Sequence, residues 1–408
     1  MLTQVYPKDP AAVGQYFEDA AIRLAEQGHT VTVYTADRDY DDPSVRYGNE
    51  SRHAKVRVVR LPFTSFGKKS ILHRLLGQAS YLGQCFIRLL FARKVDAVVF
   101  TTIPATTGVM YLFLRLFRRF RTLYWVMDIN PDQAVALGAV RPGSLPEKFL
   151  GMANRRLTQT ADSVVVLDNY MAERLLKKFP KGYKQEQVRN RLSVIPPWPL
   201  REHTGQGEPV EVATEREKLG IKNERVLLYA GNHSMVHPLD GLLAGINQRE
   251  DWDDALFLFV GGGRGKRAVM ELIEQRKGRN MRSLPYQPLE NLAGILAAAD
   301  IHIVAMGPKM VGIVHPCKIY GAMAAGRPIL LYGPKASPLG AIVNQHQLGW
   351  IIEPDTAPER IREQLEAIFA TPQTELDAMG ERSRKAIEED FDADVVAKRL
   401  CRLMANSG

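Results

Sequence analysis

The sequence predicts an α/β protein made of two successive doubly wound, parallel-sheet units. Three observations carry that prediction. Short apolar runs alternate with amphipathic stretches of helical period along the whole chain, which is the signature of βαβ crossovers. At 408 residues the chain is too long for one core, since one domain per ~150 residues is usual. The alternation is interrupted clearly once, at Pro196-Pro197-Trp198-Pro199 and the polar run to Gly207, and a second α/β series starts beyond it. The expected units are therefore residues 1–198 and 199–385, followed by a terminal helical piece, 386–408.

Composition narrows the class. Hydrophobic residues at 45% and charged residues at 24% are globular values, so global disorder is not indicated. A net charge of +9 and a pI near 9.3 call for an anionic partner: nucleic acid, a membrane surface or a phosphorylated substrate. Three cysteines with no paired spacing, Cys85, Cys317 and Cys401, argue against a disulfide framework or thiolate zinc site and suit a reducing cytosol. The opening MLTQVYPKDP has neither a basic nor an apolar signal region. Residues 97–117 form the most apolar window, but Pro104 and four threonines break it into strand, loop and helix rather than a membrane span.

In chain order, residues 1–5 read as a strand stub, followed by a loop through Pro7, Pro10 and Gly14. Tyr16, Phe17, Ala20, Ala21, Leu24 and Ala25 recur at helical spacing up to Gly28, and residues 29–34 make the next strand. Residues 37–50 are a polar loop, and 56–61 a strand. Residues 71–94 form a long helix, with further strands at 95–100, 122–127, 161–166 and 192–195 and a helix at 106–120. Asp128 stands at a strand's carboxyl end, where open α/β sheets meet ligands; it either faces a substrate or caps the next helix. Residues 66–121 hold ten basic side chains against Asp96 alone: Lys68, Lys69, Arg74, Arg88, Arg93, Lys94, Arg115, Arg118, Arg119 and Arg121. Their net +9 equals that of the whole chain, and beside Leu, Phe and Tyr residues they suit an anionic membrane surface better than nucleic acid, for which no binding module is present.

In the second series, strands at 226–230, 255–260 and 301–306 run into Gly231-Asn232-His233, Gly261-Gly262-Gly263-Arg264 and the loop before Pro316. Glycine there lets backbone approach a ligand, and Asn232 can donate to an oxygen. His233 and His237 have a metal-like spacing, but Pro238 and the lack of a third ligand speak against a metal. The triple glycine is neither a dinucleotide fingerprint nor a phosphate loop. Pro316 suits the first position of a helix, which leaves the amides of Cys317, Lys318 and Ile319 at its mouth as a seat for phosphate, with the charge of Lys318 one turn in. An ordinary amphipathic helix with a solvated lysine is the alternative. Gly326 and Pro328 end this helix, and residues 329–332 form a buried strand behind it.

The run HPCKIYGAMAAGRP, residues 315–328, resembles the P-(S/C)-K-x-Y-x-x-x-A-x-G-x-P segment of family 4 glycosyltransferases, in the branch that builds bacterial exopolysaccharides, colanic acid and O-antigen. The resemblance implies the GT-B fold, two Rossmann-like domains facing a cleft, with residues 386–408 crossing back to the first domain. It implies a retaining transfer of a hexosyl or N-acetylhexosaminyl group, with a nucleotide sugar as co-substrate and no cofactor or metal. A polyprenyl-diphosphate-linked acceptor is implied too, hence a cytoplasmic enzyme on the inner face of the cell membrane. Lys318 would hold the donor diphosphate, with His315, Cys317, Ile319 and Arg264 nearby; Gly231, Asn232, His233, His237 and Gly262 would face the donor, and Tyr286 and Gln287 its base. Asp128, in a D-(I/L)-x-P-(D/E) loop, would orient the acceptor, and Gly14 and Gln15 would border acceptor or diphosphate. Three departures stand out: Ile313 and Gly321 occupy places where many members carry glutamates, and relatives usually have more apolar residues before LTQVYP, as though the chain begins at an internal methionine. A nucleotide-sugar epimerase of the same fold, or an inactive assembly subunit, are the alternatives.

Overall fold

The computed structural model describes residues 1–7, 9, 11–38, 44–48, 55–64, 66, 71–203 and 211–406. Lys68 and Lys69, most of the polar loop after residue 38 and residues 204–207 of the run to Gly207 lie outside the described residues. The chain divides into two compact units, Met1–Pro196 with Gly312–Val314 and Asp394–Gly408, and Pro197–Val311 with His315–Ala393.

In the first unit the strands are β1 (Val31–Ala36), β2 (Val56–Leu61), β3 (Ala97–Thr101), β4 (Arg121–Trp125), β5 (Ser163–Val166) and β6 (Leu192–Val194). All pairings are parallel, β1 with β2 and β3 through β6 in sequence order. The expected strand stub appears as two bridges from Leu2, to Tyr34 of β1 and to Phe100 of β3, so it lies between the two sets. β5 is buried along its whole length, as befits a parallel strand covered on both faces. The helix Ala12–Glu26 starts earlier than its spacing suggested and takes in Gly14 and Gln15, which therefore belong to its first turn and not to a loop. A Cβ on Gly14 would lie 2.9 Å from the Tyr6 Cα, so this glycine serves close packing of helix on backbone. Phe17 of the same helix stacks on Trp125 at 5.1 Å. The terminal helix Ala393–Asn406 also belongs here, tied by Asp394 to Arg23 and by the Ala405 carbonyl to Arg121.

The second unit holds β7 (Arg225–Ala230), β8 (Ala255–Val260), β9 (Met281–Leu284), β10 (Ile301–Ala305), β11 (Ile329–Tyr332) and β12 (Gly349–Ile352), in the order β12-β11-β10-β7-β8-β9, all parallel. Sequence reading misses the edge strands β9 and β12, four residues each. MRSL carries two polar residues, and GWII opens with a glycine whose added Cβ would meet the Ile329 carbonyl oxygen at 2.1 Å. Side chains such as Leu227, Phe257 and Leu330 fill one face of this sheet, and Val226, Leu256 and Ile295 the other. Strand order reverses between β10 and β7, and ligands of open α/β sheets sit outside the carboxyl ends at such a reversal.

Candidate active site

At that reversal the chain leaves β7 through Gly231, held at φ +118°. The positive φ favours glycine, and a Cβ there would stand 2.8 Å from Cε of Lys318, so a larger residue would push the lysine stem aside. The Lys318 ammonium donates to the Tyr229 hydroxyl at 2.5 Å and to the Asn232 carbonyl at 3.0 Å. It also lies 3.8 Å from the centre of the Tyr229 ring, while the Tyr229 hydroxyl donates to the same Asn232 carbonyl at 2.9 Å. No carboxylate among the described residues pairs with Lys318. Desolvation, uncompensated by a counter-charge, pulls its pKa down to about 7.

The surrounding groups show the same shortage of negative charge. Burial first, then the charges of Lys318 and Lys266, lower His233 to about 4; burial and Lys318 lower His237 to about 3. Both are neutral near pH 7. Among the described residues neither ring nitrogen of His233, which is 1% exposed, makes a hydrogen bond of ordinary geometry, and the same holds for Nδ1 of His237 and Oγ of Ser234; the histidines have only weaker backbone interactions, His233 with Gly262 and Gly231 and His237 with Ala305. A neutral, underbonded polar pocket around a desolvated ammonium is electrostatically suited to an oxyanion.

The loop after β8 packs backbone on backbone against this turn. A Cβ on Gly261 would lie 2.1 Å from the Gly231 carbonyl oxygen; His233 N donates to the Gly262 carbonyl, and Gly265 N to the His233 carbonyl, both at 2.7 Å. The Tyr286 ring covers Gly262, where a Cβ would come within 2.8 Å of its Cε2, and remains 44% exposed. Gln287 Nε2 donates to the Pro285 carbonyl at 3.1 Å, while Arg264 is exposed. Lys266 donates to the carbonyls of Gly261 and Leu284 at 2.5 and 2.6 Å, joining the ends of β8 and β9.

The helix bearing Lys318 runs Lys318–Ala324 with Cys317 as its N-cap, so Pro316 precedes it instead of opening it. Tyr320 N donates to the Cys317 carbonyl at 3.2 Å, a tight turn that delays the helical ladder by two residues. Cys317 Sγ donates to the His315 carbonyl at 3.4 Å, and the Ile319 side chain is fully buried, leaving only its backbone to a ligand. His315, placed beside Lys318 by sequence reasoning, is 6% exposed, stacks on Tyr320 and shares a 2.9 Å hydrogen bond with its hydroxyl; that engagement turns it into the core. A Cβ on Gly321 would lie 3.3 Å from the His203 ring, so a glutamate has no room without moving that histidine.

In the first unit Asp128 N donates to Thr102 Oγ1 at 3.2 Å, and Asp128 pairs with Val314 in an isolated antiparallel bridge. Its carboxylate has no hydrogen-bonding side chain among the described residues, and burial raises its pKa to about 6. Asp132, four residues on, is held by Arg174 at 2.9 Å and by Lys178. The structure thus separates the two acids of the DINPD loop into a structural one and an uncommitted one.

Sequence reasoning missed Tyr229 and Lys266. Tyr229 looks like an ordinary core aromatic of β7, and its pairing with Lys318 spans 89 positions, beyond any local pattern.

Two doubly wound parallel sheets, one carrying a lysine without a carboxylate partner at its strand-order reversal, are the architecture of the GT-B fold. Residues 11–196 match the family described as glycosyl transferase 4-like domain. The chain is 26% identical over 352 residues, 83% of each protein, to the putative colanic acid biosynthesis glycosyl transferase WcaI of Escherichia coli (strain K12). Among solved structures it resembles the sucrose-phosphate synthase of Thermosynechococcus elongatus, with a TM-score of 0.74 at 18% identity over 98% of this chain and 97% of that one. It also resembles Anabaena Alr3699/HepE in complex with UDP-glucose, with a TM-score of 0.68 at 13% identity over 99% and 98%. Residues 11–196 thus match a glycosyl transferase 4-like domain, and the chain as a whole is similar to glycosyltransferases.

Proposed function

We propose that the enzyme transfers a hexosyl or N-acetylhexosaminyl group, with retention, from a nucleotide sugar to a lipid-linked glycan during cell-surface polysaccharide synthesis. The observation that carries the reading is the Lys318 ammonium, desolvated and without a carboxylate at the carboxyl end of β7. The colanic acid name of one relative and the UDP-glucose held by a structural neighbour support it. The donor diphosphate lies against Lys318 and the amides of the Lys318–Ala324 turn, with Gly231, Asn232, His233, His237 and Gly262 around it and Tyr286 and Gln287 toward the base.

In the reaction the bond from the sugar C1 to the diphosphate oxygen breaks, and a bond from C1 to the acceptor oxygen forms on the same face. The acceptor proton passes to the departing phosphate. Lys318 offsets the negative charge that develops on the diphosphate, a preorganised donor in a site short of counter-charge. Asp128 accepts a hydrogen bond from the acceptor hydroxyl and orients it. The nucleotide sugar is a co-substrate, and no cofactor or metal takes part. The enzyme works on the inner face of the cell membrane, held by basic and apolar residues of the first unit.

Thermal-shift screening against UDP-, GDP- and dTDP-sugars, followed by product analysis with a polyprenyl-diphosphate-linked acceptor, tests the proposal. A glycosylated lipid with the donor's anomeric configuration is expected. A free epimerised sugar made without acceptor would instead indicate an epimerase, and absence of both donor hydrolysis and transfer would indicate an inactive subunit.

A further inference from the structure

The helices Ile71–Phe91, Thr107–Phe117 and Leu145–Thr160 of the first unit enclose an open groove of about 700 Å³. That volume lies within the range of about 300–1,000 Å³ usual for small-molecule sites. Its walls are apolar, among them Leu75, Leu82, Phe86, Val109, Phe113 and Phe149. The two polar liners satisfy each other, Thr106 Oγ1 donating to Gln78 Oε1 at 3.1 Å. Large side chains stand open to solvent along it: Leu75 is 49% exposed, Phe113 57%, Phe117 64% and Phe149 49%. Clustered along one groove, these side chains differ from singly scattered exposed apolar residues, which need no explanation.

Two further observations say what covers it. The three helices carry Arg74, Arg88, Arg115, Lys148, Arg155 and Arg156 against Glu147 alone, so the charge around the groove favours an apolar occupant with an anionic head over a cationic one. The groove also adjoins the Asp128 loop. Thr106 ends the β3 loop whose Thr102 accepts from Asp128 N, and Asn154, on the helix that supplies Phe149, donates to the Asn130 carbonyl at 3.0 Å.

We infer that this groove seats the first isoprene units of the acceptor lipid, so that the chain anchors in the first unit while its phosphate-linked glycan reaches Asp128. The inference rests on the proposed transferase reading. It assigns an acceptor-lipid subsite formed by the three helices, distinct from general adhesion to a bilayer. Each methylene buried in it strengthens binding about fourfold, so affinity depends on chain length.

Gly83 provides the test. It lines the groove at mid-helix, and a Cβ built on it meets nothing within 4 Å, so Gly83→Phe fills the groove while removing a helix-weakening glycine. Equilibrium binding of farnesyl diphosphate, with inorganic diphosphate and phosphatidylglycerol vesicles as separate arms, is measured on wild type and variant; UDP-sugar binding is followed on the same preparations. Saturable farnesyl diphosphate binding is expected, at least tenfold tighter than inorganic diphosphate and weakened at least tenfold by Gly83→Phe, with sugar-nucleotide binding unchanged. Equal binding by both proteins, binding of inorganic diphosphate as tight as that of the isoprenoid, or binding to vesicles alone overturns the subsite. So does a self-association that Gly83→Phe abolishes, seen by analytical ultracentrifugation, if farnesyl diphosphate does not compete with it. Loss of sugar-nucleotide binding in the wild type, with isoprenoid binding intact, would count against the transferase reading and not against the groove.

Discussion

The Lys318 ammonium rests 3.8 Å from the centre of the Tyr229 ring, with Nζ 2.5 Å from that residue's hydroxyl. A π face and two neutral oxygens stand where a half-buried cation ordinarily meets a carboxylate. Such contacts hold the lysine in place but compensate its desolvation only in part, so an anion bound beside it would supply the missing charge.

Replacing the lysine should separate function from stability. Lys318→Ala is expected to lower turnover on the order of 10²-fold or more, the usual loss for one preorganised donor at a developing anion. Its folded pKa of about 7 lies below the ordinary 10.5, so the charged form weakens the ligand-free fold, most fully below pH 7 and less as pH rises toward 10.5. Lys318→Met should therefore melt no lower than the wild type without ligand at pH 6–7. A marked fall in its Tm together with unchanged turnover would place the lysine in the structure instead of the chemistry.

Donor binding should take up a proton. Above pH 7 the empty site holds a largely neutral lysine, and the diphosphate raises its pKa, so nucleotide affinity should decline with rising pH by at most tenfold per unit. His233 and His237, already neutral there, contribute little to this slope. Calorimetry in buffers of different ionisation enthalpy reads the uptake directly; none at pH 8 would contradict the assignment.

Asp128 should govern the acid limb of the rate. With its pKa raised by burial to about 6, the carboxylate form is lost below that pH, and transfer should fall accordingly. Asp128→Asn should abolish this limb, cut acceptor transfer and leave nucleotide affinity unaltered. Equal losses in affinity and transfer would remove the acceptor role.

Gly231→Ala should damage both fold and site. The backbone at φ +118° is strained for alanine, at about 1–3 kcal/mol, and the new methyl displaces the Lys318 stem. A lower Tm and a raised donor KM are expected together; a change in Tm alone would show that the lysine stem tolerates the methyl.

Vesicle sedimentation tests the membrane face. Arg74, Arg93, Lys94, Arg115 and Arg119 are exposed, whereas Arg118 donates to the Leu90 and Ala92 carbonyls and Arg121 to that of Ala405. At about 1 kcal/mol per basic residue near anionic lipid, the protein should pellet with phosphatidylglycerol vesicles at low salt and be released as salt rises. No helix among the described residues is long and apolar enough to cross a membrane. Failure to pellet at low salt would eliminate this mode of attachment.

The alternation of apolar runs and helical periods by itself determined the α/β class and most strands; β8 and β11 begin and end where their apolar runs do. Burial of a parallel strand on both faces forces such runs, so that information is local. The glycines at strand ends and the lysine after Pro316 were legible for the same reason. What the tertiary structure decided depends on residues far apart in the chain. It paired Tyr229 with Lys318, turned His315 onto Tyr320, placed Gly14 in a helix against Tyr6, and set His203 against Gly321. The shift of Lys318 to about 7 is likewise a product of packing, because desolvation depends on which side chains of β7 and its loop close around the amine.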